Sequence, residues 1–190
     1  TACVESLRAH TRNPFELIVV DNASTDGTRA RLDGLRVVDV AQAGAEPVGR
    51  LHVVRNAENV GYAPAANQGL ALARGEYVVL LNPDTVVSPG WDERLAAELK
   101  PGVGAVGPVS DHAAGLQFFG RFLQSERGVT SPEAVVNAGG FPDEPALDTM
   151  LLMGFCLMTT RAVLEAHGPL DAGLPMGGDD LEYSLRLRRA

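Results

Sequence analysis

Short apolar segments alternate with segments of helical periodicity along this chain, and this alternation constrains its fold more than any other feature. Strands are predicted where aliphatic and β-branched residues run together. The predicted strands are residues 15–21, 50–56, 77–81, 103–109 and 150–160. Helices are predicted over residues 1–11, 88–100, 161–168 and 179–190. Residues 24–35 are predicted to form an Asp-Gly turn and then a short helix, and residues 61–74 a helix that starts at about Pro64 and is capped by Gly75. Strands that alternate with helices are typical of an α/β fold with a mostly parallel central sheet flanked by helices.

The length and composition favour one domain with a large core. The chain has 190 residues, of which 45% are hydrophobic, and its net charge is −8. So acidic a chain argues against broad nucleic-acid binding, which needs clustered Lys and Arg. Its two cysteines do not make a disulfide framework and fit a reducing, cytoplasmic compartment. No uninterrupted apolar run reaches the length of a transmembrane helix.

Acidic residues stand where three of these elements begin or end. The strand 77–81 stops abruptly at Asn82-Pro83-Asp84, and Asp21 closes the first strand. Asp179-Asp180 opens the last helix. Taken singly, each is better explained as an ordinary turn or cap residue. In a parallel sheet, however, the carboxyl ends of strands meet at one edge, where ligands bind. The joint placement therefore favours a site at this edge.

A divalent cation would give such a site a chemical purpose. A diphosphate ligand meets an acidic protein unfavourably unless a local cation compensates its charge. Mg²⁺ and Mn²⁺ prefer carboxylate and phosphate oxygens, and they could join Asp84 to a diphosphate. A carboxylate such as Asp180 could remove the proton of an attacking hydroxyl.

Other motifs are excluded by their context. The Gly-x-Gly-x-x-Gly pattern at residues 102–107 follows the end of a helix and precedes Pro108, so it opens no helix for a dinucleotide. Residues 22–33 approach a calcium loop, but a predicted strand precedes them and Asp33 replaces the final Glu. The histidines share no ligand spacing, and no Gly-x-Ser-x-Gly elbow occurs.

Several stretches together resemble family 2 glycosyltransferases of the GT-A fold, in the bacterial branch described as rhamnosyltransferase-like. They are "VVDNASTDGT", "NAENVGYAPAANQGLALARGEYVVLLNPDT", "GAVGP" and "GGDDLEYSLRLRR", in family order across nearly the whole chain. The resemblance implies a single GT-A domain over residues 1–190. It also implies an inverting transferase that moves a sugar from a nucleotide-diphosphate sugar to an acceptor hydroxyl.

The resemblance assigns the nucleotide-sugar side of the site residue by residue. Asp21 matches the family's acidic residue that contacts the nucleotide base. Asn59, Gly61 and Asn67 fall in the family's "NxGxaxAxN" segment beside the nucleotide sugar.

The catalytic and metal residues are assigned in the same way. Asn82-Pro83-Asp84 matches the metal motif usually written Asp-x-Asp, with Asp84 as the ligand of Mn²⁺ or Mg²⁺. Asp180 matches the catalytic base of the family's Glu-Asp motif. The chain departs from the pattern twice, because Asn82 replaces the first aspartate and Asp179 replaces the usual glutamate.

The resemblance also implies a biological setting. It implies a glycan or lipid-linked acceptor, read by the variable residues 110–150 and by 154–155. It further implies cell-envelope polysaccharide synthesis at the cytoplasmic face of the membrane, with peripheral membrane association. Because no strand precedes the first helix and helical periodicity continues at Ala190, the domain is expected to be truncated at both ends.

Two other functions stay open at this point. One is a non-catalytic domain that binds a nucleotide sugar or a protein partner. The other is a nucleotidyltransferase on a related α/β sheet, which would need a Gly-rich loop with a basic residue near the start of the chain. No such loop is visible in the sequence.

Overall fold

A computed structural model describes residues 2–35, 50–110, 112–113, 115–118, 146–174 and 177–189. The strands are β1 (Leu17–Asp21), β2 (Leu51–Arg55), β3 (Tyr77–Leu81), β4 (Ala105–Val106) and β5 (Cys156–Thr160). The helices are α1 (Ala2–His10), α2 (Thr28–Gly34), α3 (Tyr62–Leu72), α4 (Trp91–Glu98), α5 (Arg161–His167) and α6 (Asp179–Arg188). The predicted α/β alternation is confirmed.

The strands pair in two groups with different directions. β1 and β2 are parallel, with Leu17 opposite Leu51 and Asp21 opposite Arg55. β5 lies between β3 and β4 and is antiparallel to both. The expected mostly parallel sheet is therefore correct for β1 and β2 and needs correction for the group that contains β5. Hydrophobic periodicity reports which residues are buried and does not report which way a neighbouring strand runs.

Helices pack against both faces of β3. Successive side chains of a strand point to opposite faces, so Leu80 and Leu81 reach different helices. Leu80 packs against a cluster that includes Ala63 of α3, Leu157 of β5 and Tyr183 of α6. Leu81 packs on the other side against a cluster formed by Cys3, Leu7 and Val87, together with Phe15, Leu17 and Trp91. Burial of a side chain such as Leu157, which is 2% exposed, contributes roughly 1.5–3 kcal/mol.

Several predicted elements have different bounds in the structure. The apolar run 150–160 forms a strand only from Cys156, since residues 150–155 are irregular or turn backbone. The strand expected at 103–109 is limited to Ala105–Val106. α3 begins at Tyr62, before Pro64, and ends at Leu72 with Ala73 rather than Gly75 at the C-cap. A proline is tolerated in a first helical turn because the amide lost there has no helical partner.

No helix in the described part of the chain combines the length and apolar character needed to cross a membrane.

Candidate functional site

The turn after β3 holds the carboxylate that the sequence assigns to a metal. The Asn82 amide donates to the Phe155 carbonyl at 2.8 Å, and the Thr85 amide donates to the Asn82 carbonyl at 3.2 Å. Asp84 is exposed at this turn. Within the described residues, no hydrogen bond or ion pair engages its carboxylate. The turn is therefore fixed by its backbone while the Asp84 side chain remains available to a ligand.

Asp180 lies in the first turn of α6 and is held by two backbone amides. Its Oδ2 accepts from the Gly154 amide at 3.1 Å, and its Oδ1 accepts from the Leu181 amide at 2.8 Å. A Cβ built on Gly154 would lie 3.5 Å from the Asp180 Cβ, at ordinary van der Waals distance, so the two residues lie side by side. An acidic group is also favoured at a helix N-terminus by the helix dipole. The Asp180 side chain is thus oriented before any substrate arrives.

The antiparallel direction of β5 brings these two acids to the same edge. Cys156, the first residue of β5, lies opposite Leu81, the last residue of β3. The peptide before β5 then touches both acidic elements, because Phe155 binds Asn82 and Gly154 binds Asp180. In a fully parallel sheet, the beginning of β5 would lie at the opposite edge from the end of β3.

Asp21, at the end of β1, is placed very differently. It is 2% exposed, and its carboxylate accepts from the Ser24 amide at 2.9 Å and from Arg29 Nε at 3.1 Å. Hydrogen bonds from Ser24, joined by Arg29, hold the pKa of Asp21 below its ordinary value. Arg29 also donates to the Asn56 carbonyl at 2.9 Å. Asp21 thereby fixes the loop that follows β1.

Asn22 organises the predicted nucleotide-sugar segment, although the sequence analysis assigned it no role in the site. Its amide group donates to Asn59 Oδ1 at 2.8 Å and to the Gly61 carbonyl at 3.0 Å. Its oxygen accepts from Asn56 Nδ2 and from the Val60 amide, both at 3.0 Å. Gly61, with φ of +91°, makes the turn into α3. The signal that could have identified Asn22 is its place directly after the strand-ending Asp21.

Asn67, also assigned to this segment, is bonded to the protein on both sides of its side-chain amide. Its Nδ2 donates to the Leu170 carbonyl at 2.8 Å, and its Oδ1 accepts from the Leu170 amide at 3.0 Å. This reciprocal pair ties α3 to the loop after α5. The geometry supplies Asn67 with a clear structural task, while its contact with a nucleotide sugar stays a prediction.

Tyr62, the first residue of α3, lies close enough to Asp179 and Asp180 for their charges to affect it. It was not singled out from the sequence. Partial burial raises the pKa of its hydroxyl, and the negative charges of Asp179 and Asp180 raise it further. Tyr62 is 46% exposed. The aromatic residue in "NVGYAP" was the available signal, because it follows a glycine of the predicted binding segment.

The carboxylate of Asp84 suits a divalent cation whose remaining coordination positions are filled by a bound ligand. No cluster of three or more His, Cys, Asp or Glu suited to a metal occurs in the part of the chain that the structure describes. Mg²⁺, however, usually takes only one or two protein carboxylates and fills its remaining positions with substrate phosphates and water. Asp84, with its unengaged carboxylate, can serve as that protein ligand.

The two cysteines lie next to the turn that bears Asp84, and they do not offer a nucleophile. Cys3 Sγ donates to the Asn82 carbonyl at 3.9 Å, and Cys156 begins β5 beside Leu81. Burial, reinforced by Cys3, raises the pKa of Cys156 to about 12. Since the thiolate is the nucleophilic form, this thiol is inert at neutral pH.

The fold and the family comparison define the class of protein. The model of the glycosyl transferase family 2 matches residues 1–167. The chain therefore belongs to glycosyl transferase family 2, and the fold expected for this family is confirmed.

Individual relatives agree with this class. The chain is 30% identical over 204 residues to the uncharacterized protein y4gI of Sinorhizobium fredii, which covers 100% of this chain and 21% of the relative. It is 38% identical over 81 residues to the putative teichuronic acid biosynthesis glycosyltransferase TuaG of Bacillus subtilis, covering 43% of this chain and 29% of the relative. The chain thus spans less than a third of the length of either relative.

A solved structure resembles most of the chain. It is a mannosyltransferase from Pyrobaculum calidifontis in complex with GDP-Man and Mn²⁺. The match has a TM-score of 0.54 at 27% identity and covers 89% of this chain and 41% of that structure.

Proposed function

We propose that this chain carries the catalytic site of an inverting glycosyltransferase, which moves a sugar from a nucleotide-diphosphate sugar to an acceptor hydroxyl. The observation that carries the proposal is that one short segment, Gly154-Phe155, contacts the elements that bear both acids. Asp84 is exposed and unengaged within the described residues, Asp180 is oriented by the Gly154 amide, and Phe155 holds the turn that bears Asp84. Two acids in these different states suit two different tasks.

Asp180 is proposed as the general base. Its carboxylate takes the proton of the acceptor hydroxyl while the acceptor oxygen bonds to the anomeric carbon and the bond to the diphosphate oxygen breaks. A positioned base of this kind typically contributes ~10²–10⁴-fold to the rate. Because no enzyme nucleophile takes part, one displacement inverts the anomeric centre. Asp179, the preceding acid, is proposed to assist Asp180. Its own negative charge is also favoured at this helix N-terminus.

Asp84 is proposed as the metal ligand, with Asn82 as its neighbour in the turn. A bound Mn²⁺ or Mg²⁺ supplies Lewis-acid stabilisation of the charge that develops on the leaving nucleoside diphosphate. Such a cation would offset the charge of a diphosphate ligand, which a chain with a net charge of −8 would otherwise bind unfavourably. The Mn²⁺ and GDP-Man bound by the Pyrobaculum enzyme support this assignment.

The donor side is assigned to the two strand-end loops that Asn22 joins. Asp21 fixes the loop proposed to face the nucleotide base, and Asn59, Gly61 and Asn67 form or support the segment beside the sugar. Their hydrogen bonds give this segment one conformation before binding, which reduces the entropy cost of ordering it.

The biological setting is proposed from the relatives and from the residues that border the base. Residues 110–150 and 154–155 are proposed to read a glycan or lipid-linked acceptor. Residues 111, 114 and 119–145 lie outside the described part of the chain. The TuaG relative, named for teichuronic acid biosynthesis, favours a role in envelope polysaccharide synthesis, at the cytoplasmic face of the membrane. The rhamnosyltransferase-like branch and a single GT-A domain over residues 1–190 stay predictions.

The proposal is tested by Asp180→Asn in an assay of nucleoside diphosphate release from a panel of nucleotide sugars with Mn²⁺. We expect turnover to fall by ~10²–10⁴-fold because the base is lost. Calorimetry is expected to show nearly unchanged, Mn²⁺-dependent binding of the nucleoside diphosphate. Asp33→Asn is the control, since it removes the same charge from an exposed carboxylate on α2 that pairs with Arg55.

Three results would contradict the proposal. Equal loss of turnover and nucleotide binding in Asp180→Asn would remove the base assignment. Binding of the nucleoside diphosphate that is the same with and without Mn²⁺ would remove the metal assignment. Nucleotide-sugar binding with no turnover by the unmodified chain would favour a non-catalytic binding domain.

A further inference from the structure

Tyr62 lies where the first turns of two helices meet. Its neighbour Ala63 is 5% exposed and shares one hydrophobic cluster with Tyr183, which is 2% exposed. Tyr183 lies three positions after Asp180 on α6, so the two side chains share a face of that helix. The shared cluster therefore places the start of α3, which carries Tyr62, and the start of α6, which carries Asp179 and Asp180, around the same part of the core.

The surroundings of Tyr62 agree with this position and give it a fixed backbone. The charges of Asp179 and Asp180 raise the pKa of its hydroxyl. Asn22 binds the Gly61 carbonyl directly before it at 3.0 Å, and the Ala65 amide donates to the same carbonyl at 3.3 Å. The ring is thus presented from a rigid helix start beside the proposed base.

Two apolar side chains close in sequence to Tyr62 and to Asp180 are also exposed. Val60 is 37% exposed and Leu181, adjacent to Asp180, is 44% exposed. Ligand sites are lined mostly by apolar and aromatic side chains with a small number of polar groups. A sugar ring has an apolar C–H face and polar hydroxyls at its rim, so it matches an aromatic ring next to carboxylates.

We propose that Tyr62 is an acceptor-binding residue, whose half-exposed ring stacks against the sugar ring that carries the attacking hydroxyl beside Asp180. The inference rests on the proposed transferase function and narrows its acceptor to a saccharide. The acceptor is preferred to the donor sugar because a base must touch the hydroxyl it deprotonates. The Tyr62 hydroxyl can in addition donate a hydrogen bond to a sugar or to the acidic pair.

The experiment measures two kinds of binding by the full chain with Mn²⁺ present. The probes are an array of immobilised oligosaccharides and, in solution, nucleoside diphosphates and their sugar conjugates. Tyr62→Ala is compared with Tyr62→Phe and with Tyr77→Ala. Tyr77 is a matched control because it is 45% exposed, against 46% for Tyr62, and lies at the opposite end of β3 from Asn82.

The expected result is a loss of oligosaccharide binding of about tenfold in Tyr62→Ala, the scale of one aromatic contact. Tyr62→Phe retains most of the binding because the ring is preserved, and Tyr77→Ala binds as the unmodified chain does. Nucleoside diphosphate binding stays unchanged in all three variants.

Three results would overturn the inference. They are oligosaccharide binding that Tyr62→Ala leaves intact, an unmodified chain that binds nucleotide and no oligosaccharide, and a Tyr62→Ala variant that loses only nucleotide-sugar affinity. The last result would assign the ring to the donor sugar. Failure of the unmodified chain to bind any nucleoside diphosphate would instead refute the proposed function, while the oligosaccharide comparison would still decide the role of Tyr62.

Discussion

Two aspartates lie where strands end in this molecule: Asp21 is the last residue of β1, and Asp84 lies in the turn after β3. They differ in exposure and in hydrogen bonding. Asp21 is 2% exposed, with its carboxylate bonded to Ser24 and Arg29. Asp84, after β3, is exposed, and nothing in the described part of the chain bonds to its carboxylate. The first carboxylate is used by the fold, and the second is left for a ligand.

The comparison teaches that a position at a strand end does not by itself define a role. The loops after β1 and β2 are held by their own side chains, chiefly Asn22, and so are preorganised. The turn after β3 is held mainly by backbone hydrogen bonds, to which Cys3 and Thr85 each add a side-chain donor. None of these bonds uses the Asp84 carboxylate, which stays available to a ligand. Changes in the first region should therefore alter stability, and changes at Asp84 should alter ligand binding.

The strongest test of this comparison is Asp84→Asn. Loss of even an outer partner of a metal ligand costs roughly 10–100-fold in affinity, so loss of the ligand itself should weaken Mn²⁺-dependent nucleoside diphosphate binding by at least about 10-fold. Thermal stability without ligand should be nearly unchanged, because the carboxylate bonds to no described residue. Calorimetry with Mn²⁺ and with EDTA measures the first effect, and thermal unfolding of the apo chain measures the second.

The comparison breaks if Asp84→Asn behaves like a structural variant. A large drop in apo stability, or an equal loss of affinity with EDTA present, would show that Asp84 supports the fold rather than a cation. Asp33→Asn serves again as the control for removal of one surface charge.

A smaller effect is expected for Asn22→Ala, on the preorganised side. The substitution removes four hydrogen bonds, to Asn56, Asn59, Val60 and Gly61. Since water can replace part of them at this half-exposed site, we expect destabilisation of about 1 kcal/mol by urea unfolding. Asn22→Asp keeps the acceptor oxygen but cannot donate, so it should be partly destabilised. Full stability in both variants would show that the loop does not depend on Asn22.

The smallest effect is the pH dependence contributed by Asp21. Its folded-state pKa is lowered from the ordinary value of 3.8, so its stabilisation is fully present well above that value. The stabilisation is lost as the pH falls below 3.8 through the lower pKa of the folded state. As the pH is lowered from about 6 to 3, the urea midpoint of unfolding should thus fall less steeply in Asp21→Asn than in the unmodified chain. Identical slopes would show that Asp21 is not stabilised in its charged form.

The sequence predicted the parts of this arrangement that depend on local chemistry. The alternation of apolar runs with helical periodicity predicted the α/β class, and the stop at Asn82-Pro83-Asp84 predicted the end of β3. Both signals lie within a few neighbouring residues. The resemblance supplied the family, which the family comparison confirmed.

The rest depends on contacts between residues far apart in the chain. Nothing near Cys156 indicates that β5 runs against β3, yet that direction brings Gly154 to Asp180. The bond between Asn22 and Gly61 joins positions 39 residues apart, and Ala63, next to Tyr62, shares a hydrophobic cluster with Tyr183 of α6. Composition and periodicity carry no record of such pairings.

The direction of β5 has a further consequence for how this domain can diversify. Val106 of β4 lies opposite Met158, and Leu81 of β3 lies opposite Cys156, so β3 and β4 end at the edge where β5 begins. The chain therefore leaves the sheet after Val106 and returns to it at Cys156, at the same edge, beside Asp180. Loop length changes the closure cost only slowly. Connections of different length and composition can therefore be accommodated between these two points, as long as Gly154 and Phe155 are kept to hold Asp180 and the turn that bears Asp84.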